Sequence, residues 1–119
     1  MSAIWNDAPK NSQAVYEHLK VLAEKMRTAT YGEVADAIGQ AEGRVIAPVS
    51  LAHPLAFIRD SICIPRGLPM LNALVVSSGT DIPGDSFLPR EIKFGAAERT
   101  LWRSTVLAVF AYPWDLVKL

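Results

Sequence analysis

The groups able to make or break bonds at neutral pH are few: one thiol, Cys63, two imidazoles, His18 and His53, and scattered carboxylates. A cysteine attacks as the thiolate and needs a base or a cation beside it. Cys63 sits in Ile62-Cys63-Ile64-Pro65-Arg66, where apolar neighbours push a thiol pKa upward, so it reads as buried and inert. His18 falls on the exposed side of a helical stretch with no second ligand one turn away, which suits a solvated imidazole rather than a metal ligand. Asp81 and Asp85 stand close together without histidines or a third acid and read as turn formers. The glycine-rich run 78–84 lacks the Gly-Lys-Ser/Thr ending of a phosphate loop. These residues imply no catalytic site, no cofactor and no metal.

Recognition chemistry is better represented. Between Arg44 and Arg66 the chain carries Arg44, His53, Arg59 and Arg66 against the single acid Asp60. Cations of this kind meet phosphate oxygens. Just before them stands Thr30-Tyr31-Gly32-Glu33, a capping box in which the threonine hydroxyl and the Glu33 carboxylate satisfy each other's backbone N–H groups. Val34, Ala35 and Ile38 follow on one helical face, and Gly39 suits the left-handed residue that ends a helix. The spacing predicts a short helix over 31–38, a turn over 40–43, and a second apolar run opened by Arg44. That is the layout of a helix-turn-helix, whose second helix normally enters a DNA groove. An ordinary helical hairpin with no nucleic-acid role has the same pattern.

Length and composition set the frame for these residues. A chain of 119 residues supports one domain with a core, spanning 1–119. Hydrophobic residues at 50% and charged residues at 20% belong to a globular protein. No apolar run is long enough to cross a bilayer, and residues 1–10 lack the basic-then-apolar order of a secretory signal. A lone cysteine fits a reducing compartment, so a cytoplasmic location without membrane contact is expected. Twelve basic and twelve acidic residues cancel, which disfavours a tight non-specific DNA coat and leaves room for modest local binding.

The remaining elements follow from periodicity. Residues 1–10 read as an arm, with Ile4 and Trp5 apolar enough to dock on the body. A helix with a polar cap starts at Asn11 or Ser12 and stops near Arg27, burying Val15, Tyr16, Leu19, Leu22, Ala23 and Met26. Pro48 fits only a first helical turn, and His53-Pro54 marks a break before a further helix over 55–64 that Pro65 ends. Residues 71–77 carry the β-branched core of a strand, with a turn at 78–81 and a second extended piece at 82–87, together a hairpin wing. A last helix spans 96–111, with Leu101, Trp102, Val106, Val109 and Phe110 inward and Glu98, Arg99 and Arg103 outward. Trp102 and Trp114 read as anchors rather than base-stacking platforms. The expected fold class is α+β, a mostly helical winged helix-turn-helix with a small β-hairpin wing.

This order of elements resembles the DNA-binding domain of alkylguanine-DNA alkyltransferases and of alkyltransferase-like proteins. The residues that carry it are Thr30-Tyr31-Gly32-Glu33-Val34-Ala35, Ile38-Gly39, Arg44 with His53-Pro54 at the family's spacing, and Val75-Val76-Ser77-Ser78-Gly79. The resemblance implies that Tyr31 meets a backbone phosphate, that Arg44 fills the space of a flipped base, and that residues 48–53, with Ser50 among them, lie along the minor groove. His53, Arg59 and Arg66 would support them. The family's Pro-Cys-His-Arg is missing, since Asn72-Ala73-Leu74 stand where Cys-His-Arg would be, and the segment after Pro54 is longer than the family's. The resemblance therefore implies double-stranded DNA binding without chemistry, as a sensor or accessory factor. The neutral charge and the longer segment also fit a protein-binding module on the same fold, such as a regulatory or phage-type inhibitor. Neither reading specifies an oligomeric state.

The DNA reading requires Arg44 to project outward; pairing with an acid on its own surface would end it. It predicts that Arg44→Ala weakens duplex binding by on the order of a few kcal/mol or less. Equal binding by mutant and parent in a low-salt gel shift counts against it.

Overall fold

The computed structural model describes residues 3–80, 82, 83, 87 and 93–119. It is mostly helical with one small parallel sheet, an arrangement compatible with the α+β class. Helix α1 covers Ser12–Glu24 and buries Val15, Tyr16, Leu19, Leu22 and Ala23 at the expected spacing. Asn11 precedes it in the left-handed conformation, with no side-chain capping bond; instead Ser12 Oγ donates to the Pro9 carbonyl at 2.7 Å. The helix ends three residues earlier than periodicity suggests. Met26 adopts a left-handed φ of 55°, which turns its side chain into solvent rather than the core. Strand β1, Ala29–Thr30, follows where only a lead-in to the next cap is expected.

Helix α2, Tyr31–Glu42, opens on the capping box: Glu33 N–H donates to Thr30 Oγ1 at 3.1 Å, and Thr30 N–H to Glu33 Oε1 at 2.9 Å. It runs a full turn beyond the expected end at Ile38. Gly39 is interior and buried, and Gly43, at φ 69°, is the left-handed cap. The reason for glycine at 39 is proximity. A Cβ there would stand 2.5 Å from the Arg44 carbonyl oxygen, because the chain leaving the helix folds back across this position.

The expected break at His53-Pro54 is absent. A 3₁₀ turn (Pro48–Leu51), helix α3 (Ala52–Phe57) and a π turn (Ile58–Cys63) follow one another without interruption. Pro54 lies in the first turn of α3, where a missing N–H costs least. Leu51, Leu55, Ile58 and Ile62 are all fully buried at spacings of four and three, so burial overrides the local preference of the residue before proline. Pro65 ends the run, as expected.

The expected long strand is also shorter. Leu71–Leu74 form a 3₁₀ turn, and β2 is only Val75–Val76, paired parallel to β1 with Ala29 opposite Val75 and Thr30 opposite Val76. Leu71, Ala73, Leu74 and Val75 are fully buried, so the stretch lacks the two-residue alternation that separates strand from turn. Of the expected hairpin, Ser77 N–H donates to the Ile82 carbonyl at 2.8 Å and Val76 makes an antiparallel bridge to Pro83. Asp81, Asp85 and half of the expected second strand lie outside the described residues.

Helix α4, Ala96–Ala111, has the expected bounds. It buries Val106 and Val109 and half-buries Trp102 and Phe110, while Leu101 is exposed rather than inward. Trp102 Nε1 donates to the Ala73 carbonyl and Trp114 Nε1 to the Val109 carbonyl, both at 2.8 Å, so the two indoles pin α4 and the tail to the body. Trp5 docks on Tyr16 and Phe57, with ring centroids at 5.5 and 6.1 Å. One core cluster joins α1, α2, α3, the 71–74 turn and α4. Among the described residues no helix is long and apolar enough to cross a membrane.

Gly39→Ala is expected to destabilise the protein by about 1–3 kcal/mol, the usual cost of overpacking. Gly32→Ala in the same helix, whose Cβ would meet only Thr30 Oγ1 at 3.9 Å, is expected to leave stability unchanged or raise it slightly. Urea unfolding of the two variants separates these outcomes.

Candidate functional site

The connection between α2 and α3 holds the residues on which the helix-turn-helix reading turns. Gly43 N–H and Arg44 N–H both reach the Gly39 carbonyl, the latter at 3.0 Å, which folds the chain back sharply. Ile46 and Leu51 then plug into the core. Ser50 Oγ donates to the Ala47 carbonyl at 2.6 Å and tightens the 3₁₀ turn, with Pro48 at its first positions. With Ile46 and Leu51 buried, the side chains between face water. Val45 is 98% exposed and Val49 83% exposed. A valine on a surface is ordinary; two standing out of one tethered loop form an apolar prominence.

Arg44 does not project freely. Its Nε donates to Glu42 Oε1 at 2.9 Å, and its Nη2 to the same oxygen at 2.5 Å and to Asn11 Oδ1. The side chain is therefore paired with an acid on its own surface, and Asn11 is turned towards it instead of capping α1. An exposed ion pair adds only about 0–1 kcal/mol to stability. Its larger effect is electrostatic, because a neutralised guanidinium offers little attraction to a phosphate. The cleft of about 500 Å³ beside it is lined by Lys10 and Arg44 against Glu17 and Glu42, with Trp5 and Asn11, so neither sign of charge prevails.

The other expected contacts are dispersed. Tyr31 is half-buried at the opposite end of α2 from Arg44, roughly 18 Å along a twelve-residue helix. His53 is exposed on α3, one turn from Ser50. Arg59 is engaged by its neighbour, Nε to Asp60 Oδ1 at 2.8 Å and Nη2 to Oδ2 at 2.9 Å, which holds the Asp60 carboxyl below its ordinary pKa. Arg66 folds back to donate to the Ser61 and Ile62 carbonyls at 2.9 and 3.3 Å, closing the π turn. It borders a different cleft, with Leu68, Tyr112, Leu116 and Lys118. So Arg44 and Ser50 lie in one connection with His53 a turn beyond Ser50, whereas Tyr31 stands at the other end of α2 and Arg66 borders a separate cleft. The exposed valines are functional candidates that charge and motif reading passes over; Pro48, which interrupts the apolar run after Arg44, is the available signal that this run is not a simple buried helix.

Cys63 is fully buried, and burial pushes its thiol up to about 11, with the Leu71 backbone and Arg66 opposing only in part. At neutral pH it is a thiol, not a thiolate. Among the described residues no three His, Cys, Asp or Glu side chains group as metal ligands do.

His18 departs from expectation. It is half-buried on α1 rather than solvated, and this burial, with help from the Lys25 charge, lowers its pKa below the ordinary 6.5. Below that pH the unfolded chain binds a proton before the folded chain does. Stability should therefore fall as pH drops below 6.5 towards the folded value and recover as pH rises. His18→Gln should flatten this part of the profile, measured by urea midpoints at roughly pH 5 and roughly pH 7.5.

No protein family, curated protein or solved structure matches this chain.

Proposed function

We propose that this chain is a non-catalytic binding module of the winged helix-turn-helix type. The Val76–Pro83 bridge would form the base of its wing. Its contact surface is the α2–α3 connection, and the partner met there is a protein with an apolar recess. The observation that carries this reading is the composition of the loop tip: Val45 and Val49 stand almost fully in water while the adjacent cation is neutralised by Glu42. Withdrawing each valine from water on docking is worth roughly 1.5 kcal/mol. Duplex DNA would reward this surface poorly. Its affinity grows with the number of phosphates neutralised, and Arg44 and Arg59 already carry acid partners.

The DNA reading that rests on Arg44 is set aside, since Arg44 is paired with Glu42; duplex binding through a different face is kept as a second reading for one reason. The exposed side of residues 48–57 presents Ser50, Ala52 and His53 and no acid, a slender face of the kind that can lie in a groove.

One set of variants separates the two. A photo-crosslinking residue at position 49 should join a discrete protein in extracts of the source cells, and Val45→Asp with a crosslinker retained at 49 should abolish the adduct. Anisotropy of a labelled duplex should show weak binding at low salt that Arg44→Ala barely changes. Tight duplex binding that Arg44→Ala reduces and Val45→Asp leaves intact would replace the protein reading with the DNA one.

A further inference from the structure

The outward side of α4 is unusual for a solvent-facing helix. Ala97, Leu101, Ser104, Leu107, Ala108 and Ala111 are all exposed, Leu101 by 47% and Leu107 by 66%. At 100° per residue they occupy one face, with Arg99 and Arg103 to one side of it and Glu98 to the other. No charge lies on the face itself, whereas an exposed helix normally alternates charged residues there. Its hydroxyls are also turned inward to the helix: Ser104 Oγ donates to the Leu101 carbonyl at 2.9 Å and Thr100 Oγ1 to the Ala96 carbonyl at 3.2 Å. The surface therefore offers methyl groups and methylenes, with small residues that permit close approach of another helix.

We infer that this face is the contact between two copies of the chain, their α4 helices packed antiparallel about a twofold axis at Ser104. The sequence is self-complementary about that position. Leu101 and Leu107 are equidistant from it, so each leucine of one copy meets the other leucine of the second copy, and Ala97 meets Ala111 in the same way. An isologous contact requires this reciprocity. Charge complementarity points to the same partner. Exposed Lys93 precedes α4 and exposed Asp115 follows it, so antiparallel packing brings the end of one copy that carries Lys93 towards the end of the other that carries Asp115. A sixteen-residue helix is about 24 Å long. The interface is therefore at the small end of the range, and the dimer dissociates in the micromolar region.

Sedimentation equilibrium of the full chain from micromolar to millimolar concentration tests this. The wild-type chain should pass from monomer to dimer, and Leu107→Glu, at an exposed position outside the core, should weaken association about tenfold or more. Lys93→Asp should weaken it too, and Lys93→Asp with Asp115→Lys should restore it. Orientation is read by oxidation, since Cys63 is buried and an introduced thiol is the reactive one. Ser104→Cys should form a disulfide-linked dimer readily, Ala97→Cys should not link to itself, and a mixture of Ala97→Cys with Ala111→Cys should cross-link. A chain that stays monomeric throughout overturns the proposal and leaves the face to a different partner. Ala97→Cys linking to itself as fast as Ser104→Cys overturns the antiparallel pairing.

Discussion

The absence of a side chain at Gly39 is the constraint on which the connection from α2 to α3 depends. With no Cβ in the way, the backbone of Arg44 crosses within contact of the helix, and the Gly39 carbonyl accepts the Arg44 N–H. That crossing ends α2 at Glu42, drops Ile46 into the core and sends Val45 outward. It also leaves Arg44 only two positions from Glu42, close enough for the two side chains to close on each other. Helix end, loop path and charge state of the loop follow from one close approach.

The neutralisation of Arg44 changes the character of the whole surface. All three arginines between positions 44 and 66 are held by their own chain: Arg44 by Glu42 and Asn11, Arg59 by Asp60, and Arg66 by helix carbonyls. Each arrangement is local and individually weak. Carboxylates neutralise Arg44 and Arg59, whereas Arg66 keeps its charge but spends its donors on backbone carbonyls. What that loop offers instead is shape and apolar area, the ground on which the valine pair is proposed as its contact.

Much of the fold was legible in the residues. The capping box at Thr30 and Glu33, the buried stripe of α1 from Val15 to Ala23 though not Met26, and the bounds of α4 each rest on local chemistry or a periodic pattern, and each is found in place. The differences share a cause. Gly39 suits a helix end on local grounds, because the backbone that needs it lies beyond the turn. His53-Pro54 favours a break locally, and the burial of Leu55 and Ile58 that overrides it is a tertiary fact. Residues 71–74 look like strand because burial on every side erases the alternation that distinguishes strand from turn. The site was less legible than the fold. Residue types announced cations, but pairing depends on where Asn11 and Glu42 come to rest, and Asn11 reaches Arg44 from the far side of α1's start.

The pairing of Ala29–Thr30 with Val75–Val76 has a kinetic meaning. These few ladder bonds join the two ends of a long excursion that contains α2, α3 and the π turn. Loop-closure entropy grows with the length spanned, and two residues of ladder return little against it. The clasp gains its stability only when the enclosed helices are already packed, so it closes late in folding and opens early on warming.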